Sequence, residues 1–437
     1  MRRTTLLSLL AGPILALAAC SGDGPQTIDD GGILADSGQV TPDTGAAEDD
    51  AGTIGDDAGT TDAGPALDDA GVPDSGTGDA GQADAGGSDA GVTPGEPIVA
   101  PDDTWTWVPF PGSHCMNDTP TGIGVNLQPG ATKVLIYMEG GNACFNQVSC
   151  ATTANTNGYG ESNFRSTANG LPNRPIFNRG AENIFNDYSY VYVPYCTGDV
   201  HAGTNMNGSV GNAAYTFMGF DNVRQYLERL VPTFSAATEV VLSGSSAGGF
   251  GAMLNFDQVQ RAFGPSVRVT LVDDSGPPMS GDFIEPCLQA HFRSTWGFDD
   301  GVLAGCAGCL ATPDGTFIEP YFDYLLNLYA DRTFAVISSD GDSTIRTFWG
   351  FGVNDCARLD SFTPGTFSAA MYRAGLEGFR DEMADGYTNV GLFMKTNSTR
   401  HVWLTPDPLA NVSQDGVNLS DWLLGATQGT ITHVPGQ

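Results

Sequence analysis

Short apolar runs alternate with longer amphipathic stretches along the chain from Pro101 onward. The apolar runs predict β-strands over residues 133–139, 188–195, 239–243, 267–272, 333–338 and 389–394. The longer stretches predict helices over residues 221–231, 247–263, 321–330 and 367–383. This alternation is typical of a mainly parallel sheet with helices on both faces. In such sheets the chemistry lies in loops at the carboxyl ends of the strands, so the residues that follow each strand are the candidates for a site.

The predicted strand over 239–243 runs directly into Gly244-Ser245-Ser246-Ala247-Gly248, which a predicted helix follows. This G-x-S-x-G pattern between a strand and a helix is typical of a nucleophile elbow. Glycines are needed there because a Cβ would collide with neighbouring backbone in so tight a turn. A plain glycine-rich connection is the alternative, but the flanking elements favour Ser246 as a nucleophile.

A serine nucleophile needs a base, and on this kind of scaffold the histidine follows the serine along the chain. Three histidines lie downstream of Ser246. His401 follows the last predicted strand and a short loop, whereas His291 lies in a cysteine-rich insertion and His433 near the C-terminus. We therefore predict His401 as the general base.

The acid is expected after the penultimate predicted strand, over 333–338, which ends in Ser339-Asp340-Gly341-Asp342. Asp342 is preferred, and Asp340 remains the alternative because spacing alone does not separate the two. Asp273 and Asp274 follow an earlier strand and are in a poorer position. The acid would hold the tautomer of His401 and stabilise its imidazolium form.

An oxyanion hole is predicted after the strand over 133–139, which ends in Gly140-Gly141-Asn142-Ala143. Glycines in this loop allow backbone N–H groups to approach a developing oxyanion without obstruction by side chains. The expected donors are the amides of Gly141, Asn142 and Ala247. A plain turn is the alternative, but hydrolases place this loop after an early strand.

Residues 1–19 have the features of an export signal, with Arg2 and Arg3 before an apolar run that is too short to span a bilayer. Leu17-Ala18-Ala19-Cys20 resembles the lipobox of bacterial lipoproteins. The resemblance implies lipidation at Cys20 and a membrane anchor on the periplasmic or outer side of a bacterial cell. An ordinary cleaved signal is the alternative.

The net charge of the 437 residues is −33, from 51 acidic and 18 basic residues, and it is unevenly distributed. Residues 21–100 contain 18 acids, repeat Asp-Ala-Gly at irregular spacing, and contain no Lys, Arg or aromatic residue. This composition predicts a disordered, self-repelling linker over 20–100 rather than a calcium-binding repeat. The predicted folded domain, residues 101–437, carries a net charge of −17. Such acidity excludes a nucleic-acid-binding protein, which needs clustered Lys and Arg.

Eight cysteines follow Cys20, at positions 115, 144, 150, 196, 287, 306, 309 and 356. An even number in an exported chain predicts four disulfides. Cys306-Ala-Gly-Cys309 also has the spacing of a redox or zinc half-site. Structural disulfides are favoured because there is no second C-x-x-C and no nearby histidine.

Four sequence blocks together resemble the pectin acetylesterase family, which includes the Notum-like carboxylesterases; they are residues 135–146, 191–199, 244–249 and 272–276. The resemblance implies an α/β-hydrolase-like fold, carboxylic ester hydrolysis, and a triad of Ser246, Asp342 and His401 with no metal or other cofactor. It also implies the disulfides Cys144–Cys150 and Cys115–Cys196, and leaves the pairing of the other four cysteines open. Where the family usually has Trp after the two glycines, this chain has Asn142, at a position that borders the acyl pocket.

The resulting hypothesis is an exported, lipid-anchored serine esterase that removes an O-acyl group, expected to be acetyl, from a carbohydrate or another ester. The charge of −17 disfavours a polyanion such as pectin as the substrate. One alternative is a catalytically silent hydrolase-like surface protein that binds a glycan or a partner. A lipase or peptidase on the same scaffold is a third hypothesis.

Overall fold

The structure is a computed structural model, and it describes residues 95–436. The predicted signal peptide, the predicted lipidation site Cys20 and the predicted linker as far as residue 94 lie outside the described residues. Residues 95–100, which the composition assigned to the linker, pack on the helix Gly219–Thr233. The Gly95 amide donates to the Glu228 carbonyl at 2.7 Å, and buried Ile98 donates through its amide to Thr233 Oγ1 at 2.6 Å.

The strands of the described region are β1 (Thr106–Phe110), β2 (Thr121–Asn126), β3 (Lys133–Met138), β4 (Ser189–Val193), β5 (Asn205–Val210), β6 (Ala213–Phe217), β7 (Glu239–Ser245), β8 (Arg268–Asp274), β9 (Thr333–Ser339), β10 (Val390–Lys395), β11 (Ser413–Gln414) and β12 (Val417–Asn418). The helices are α1 (Gln147–Thr152), α2 (Glu161–Ala168), α3 (Gly219–Thr233), α4 (Ala247–Leu254), α5 (Phe256–Phe263), α6 (Pro286–Trp296), α7 (Ala307–Leu310), α8 (Ile318–Leu328), α9 (Ser343–Trp349), α10 (Val353–Cys356), α11 (Ala369–Gly386) and α12 (Leu419–Thr427). None of these helices is long and apolar enough to cross a membrane.

The central sheet has eight strands in the order β1-β2-β4-β3-β7-β8-β9-β10. Six of these strands pair in parallel, namely β4, β3, β7, β8, β9 and β10. The strands β1 and β2 add an antiparallel edge beside β4. The predicted α/β-hydrolase-like fold with a mainly parallel sheet is therefore confirmed. The strands β5–β6 and β11–β12 form two small antiparallel pairs outside it.

The side chains of the parallel strands are buried on both faces of the sheet, which explains their continuous apolar runs. On β3, Ile136 and Met138 join a core that is shared with α3, α4, α5, α8 and α11. Leu135 and Tyr137 point to the opposite face, into a core that includes side chains of α2 and α12. Helices thus cover both faces of the sheet.

Each of the six predicted strands lies within two residues of an observed one, but the predicted helix over 247–263 is divided. Asn255 separates α4 from α5, and its Nδ2 donates to the carbonyls of Gly251 at 2.7 Å and His201 at 2.9 Å. Such side-chain bonds to the backbone compete with a continuous helix. The edge strands β1 and β2 and the helices α6 and α9 were not predicted.

Candidate active site

Ser246 occupies a tight turn between β7 and α4, at the carboxyl edge of the sheet. Its φ of 60° and ψ of −124° lie outside the usual regions for a residue with a side chain, a conformation that costs about 1–3 kcal/mol. The Ser246 amide donates to the Asp274 carbonyl at 2.7 Å. The turn also requires glycine nearby, because a Cβ on Gly248 would lie 2.0 Å from the carbonyl oxygen of Met138. This geometry is that of a nucleophile elbow.

His401 and Asp342 meet at the ends of the neighbouring strands β10 and β9. His401 Nδ1 lies 2.7 Å from Asp342 Oδ2, and the Asp342 side chain is fully buried. Asp342 Oδ1 accepts the amides of Thr344 and Ile345, so this residue also caps α9. Because a carboxylate can only accept, Nδ1 carries the hydrogen and Nε2 is left as the basic nitrogen.

His401 Nε2 is buried and has no hydrogen-bond partner among residues 95–436. No hydrogen bond joins it to Ser246 in this structure, so the structure pairs the predicted acid with the predicted base and leaves the serine unbonded to them. The other downstream histidines are engaged elsewhere. His291 Nε2 is 2.7 Å from the Phe145 carbonyl, and His433 Nδ1 accepts the Leu392 amide at 3.1 Å.

Asp340, the alternative acid, holds the loop that leads to His401. Its carboxylate accepts the amides of Asn397 at 2.9 Å and Ser398 at 3.1 Å, and it forms an ion pair with Arg373. None of these contacts is made to the imidazole of His401. The structure thus assigns the two aspartates different neighbours, which spacing alone did not do.

Two of the predicted oxyanion donors, Asn142 and Ala247, line the same pocket as Ser246, and Gly140 of the first loop lies against Ser246. The amides of Gly141, Asn142 and Ala247 have no acceptor among the described residues. Asn142 has a φ of 66°, and its side chain donates to the Thr152 carbonyl at 2.7 Å, which holds the loop in this conformation. Unpaired amides beside a serine elbow are suited to stabilise a negative oxygen.

His201 contacts the residue just before this loop, and it was not among the predicted site residues. Its Nε2 lies 2.8 Å from the carbonyl of Glu139, the residue before Gly140, so this nitrogen carries the hydrogen. Burial lowers the pKa of His201 to about 4, so the ring is neutral at ordinary pH. The only sequence signal was its position two residues after the block 191–199.

Ser246 lines a pocket whose wall is almost entirely apolar. The pocket holds about 580 Å³ of space between its atoms, its open mouth included, and Asn142 is its other polar lining residue. The apolar lining consists of Ala143, Phe145, Val200, Ala247, Phe250, Met253, Leu254, Phe292, Trp296, Phe298, Phe317, Ile318, Ile345, Phe348 and Trp349. A pocket of this lining accepts an apolar group next to the serine.

Disulfides join the segments that build the pocket and its surroundings. The structure pairs Cys144 with Cys150 and Cys115 with Cys196, the two pairings that the resemblance implied. Cys287 pairs with Cys356, which ties α6 to α10. Cys306 pairs with Cys309 and closes the C-x-x-C segment on itself.

Fold and site together define an α/β-hydrolase-like protein with a serine on an elbow. Residues 109–297 match the pectinacetylesterase family. This stretch contains Ser246 and the predicted oxyanion loop and ends before Asp342 and His401. The expected resemblance to pectinacetylesterases and Notum-like proteins is confirmed.

Part of the chain is similar to animal palmitoleoyl-protein carboxylesterases. The chain is 31% identical over 170 residues to notum2 of Xenopus laevis, an alignment that covers 37% of this chain and 34% of the frog protein. It is 29% identical over 172 residues to human NOTUM, covering 37% of this chain and 34% of the human protein. The matches thus span about a third of the length of these relatives.

A solved structure of the Wnt deacylase Notum from Drosophila has a similar fold. It superposes with a TM-score of 0.53 and 19% identity, over 74% of this chain and 93% of the fly chain. At this level of identity the likeness shows the fold alone.

The different contacts of the two aspartates predict different effects of replacing each by asparagine. Asp342→Asn removes the charge that would stabilise the imidazolium, so we expect kcat for a nitrophenyl ester to fall by about 10³–10⁴-fold. Asp340→Asn weakens the loop contacts and the ion pair, so we expect a lower Tm and a less than tenfold loss of kcat in the folded protein. Steady-state kinetics and thermal unfolding of both variants are the measurements. Equal losses of kcat, or a larger loss for Asp340→Asn, would contradict this assignment.

Proposed function

We propose that this protein is a serine carboxylesterase in which Ser246 is the nucleophile, His401 the base and Asp342 the acid. The observation that carries the proposal is the buried Asp342–His401 contact at the same sheet edge as the Ser246 elbow. The match to pectinacetylesterases over residues 109–297 supports the same chemistry. The missing Ser246–His401 hydrogen bond is compatible with it, because such bonds often tighten only when substrate binds.

In the proposed reaction, Ser246 Oγ attacks the ester carbonyl carbon while His401 Nε2 takes the serine proton. The negative oxygen that forms is held by the amides of Gly141, Asn142 and Ala247. His401 then gives the proton to the departing alcohol, which leaves an acyl-serine. Water then attacks the carbonyl carbon of the acyl-serine while His401 Nε2 takes a proton from the water. His401 returns this proton to Ser246 Oγ as the carboxylic acid leaves.

The apolar pocket supports an acyl group longer than the acetyl group expected from the sequence. Eight aromatic side chains line it, and so apolar a lining favours an apolar acyl chain over the small acetyl group. The frog and human relatives described above are palmitoleoyl-protein carboxylesterases, which is consistent with an apolar acyl group. We therefore place the acyl chain in the pocket and the alcohol, a carbohydrate or another hydroxyl compound, outside it.

We further propose that the domain is exported and held at a bacterial membrane by a lipid at Cys20, with residues 20–94 as the linker. The support lies in the sequence of residues 1–20 and in the four disulfides of the described region, which are typical of oxidising compartments.

Loss of the nucleophile tests the proposed chemistry. A fluorophosphonate probe should label the wild-type protein at Ser246, and Ser246→Ala should abolish both labelling and hydrolysis of a short nitrophenyl ester. Ser245→Ala, one residue away, should still be labelled. Wild-type protein that binds glycans but is neither labelled nor active would favour the silent binding protein instead.

A series of nitrophenyl esters from two to twelve carbons tests the proposed acyl group. Each methylene buried in the pocket contributes about 0.8 kcal/mol, so kcat/KM should rise by about fourfold per methylene until the pocket is filled. Phe348→Gln, which puts an amide into the pocket wall, should flatten this dependence. Phe283→Gln alters a half-buried phenylalanine outside the pocket and should leave the dependence unchanged. A maximum at the acetyl ester would contradict the proposed acyl group.

The anchor is tested by metabolic labelling with a fatty-acid analogue in a bacterial host. Wild-type protein should carry the label and sediment with membranes, and Cys20→Ser should lose both properties. The double variant Cys306→Ser/Cys309→Ser, which alters cysteines of the folded domain, should keep the label. Label that persists in Cys20→Ser would refute the anchor.

A further inference from the structure

Asp274, the last residue of β8, contacts both the elbow of Ser246 and the segment after His401. Its carboxylate accepts the amide of Trp403 at 2.8 Å, the amide of Leu404 at 3.0 Å and the hydroxyl of Ser245 at 2.8 Å. Its backbone carbonyl accepts the amide of Ser246 at 2.7 Å. One fully buried residue therefore fixes the positions of two chain segments that carry the proposed nucleophile and base.

The segment that follows His401 needs such support because its backbone is strained. Val402 has a φ of 63°, which is rare for a β-branched residue, and its amide donates to Ser275 Oγ at 3.2 Å. Ser275 itself has a φ of 69°. Conformations of this kind cost about 1–3 kcal/mol each and persist only where the surrounding contacts fix them. The bonds to Asp274 lie directly beyond this turn and oppose its relaxation.

The contacts of Asp274 also favour its charged form. Burial has the largest effect and raises the pKa of its carboxyl group above the ordinary value, and the amides of Trp403 and Leu404, the Ser245 hydroxyl and nearby His401 reduce that rise. The three groups that contact the Asp274 carboxylate, two backbone amides and the Ser245 hydroxyl, all donate hydrogen bonds to it, as a carboxylate requires. Asp342 lies at His401 Nδ1, Asp340 contacts the loop before His401, and Arg400, the preceding residue, is paired with Asp407. Asp274 thus adds a second negative charge near the imidazole.

We propose that Asp274 is a positioning residue, which sets the geometry between Ser246 and His401 and favours the imidazolium that forms during ester hydrolysis. The proposal rests on the proposed serine esterase mechanism and adds to it a second buried carboxylate outside the triad. Asp273 offers a matched contrast. It is equally buried on the same strand end, but among residues 95–436 its carboxylate accepts only the amide of Gly276, at 2.8 Å.

The test compares Asp274→Asn, Asp273→Asn and wild type by the rate of fluorophosphonate labelling at Ser246 and by the pH profile of kcat/KM. In Asp274→Asn the side-chain NH₂ group faces the donating amides of Trp403 and Leu404 and therefore displaces the segment after His401. We expect kcat to fall by about 10²-fold and KM to stay within about threefold of the wild-type value. Loss of the negative charge makes the imidazole harder to protonate, so the acidic limb of the profile should move to lower pH by about one unit. Asp273→Asn should keep the wild-type limb.

A second variant keeps the proposal testable if Asp274→Asn does not fold. Ser245→Ala removes one bond to Asp274 and should lower kcat by about threefold to tenfold, since a single hydrogen bond to a charged group is lost. An unshifted pH limb in folded Asp274→Asn would overturn the proposal, as would equal effects of the two aspartate variants. An unchanged kcat in Ser245→Ala would also overturn it. Wild-type protein that is not labelled at Ser246 would instead refute the proposed esterase.

Discussion

The parallel pairing of β3, β7, β8, β9 and β10 is the constraint on which the site depends. Parallel strands end at the same edge of a sheet, so the loops that follow these five strands are neighbours although up to 260 residues separate them along the chain. β3 and α4 approach each other closely at Gly248, where a Cβ would lie 2.0 Å from the Met138 carbonyl oxygen. Loss of that approach would separate the elbow from the oxyanion loop.

Apolar side chains from several helices pack above this edge and line the pocket beside Ser246. The pocket wall combines side chains of α4 with others from α6, α8 and α9, and the Cys287–Cys356 disulfide ties α6 to the segment after α9. A cross-link between two sides of a wall restricts how far they separate in the folded state. The shape of the pocket is therefore fixed by the packing of these helices and by the disulfide.

The sequence predicted the strand ends well because each buried parallel strand is a continuous apolar run followed at once by its loop. That rule was sufficient to select Ser246, His401 and Asp342 as candidates. It did not distinguish the contacts of Asp340, nor select Asp274, because both depend on how the loop after β10 folds back across β8 and β9. The pocket lining and the Cys287–Cys356 pairing involve segments far apart in sequence, and four cysteines alone allow three pairings.

In the proposed reaction, the apolar pocket would select the acyl group of the substrate, and the acidity of the protein would select against a negatively charged alcohol part. The pocket beside Ser246 is lined by two polar residues among many apolar ones, so binding in it depends on apolar burial, which salt screens little. The charge of −17 over residues 101–437 acts at longer range and repels polyanions as they approach. A neutral alcohol that carries an apolar acyl chain satisfies both conditions, whereas an acetylated polyuronate satisfies neither. Raising the ionic strength should therefore change the rate with a polyanionic ester much more than the rate with a neutral one.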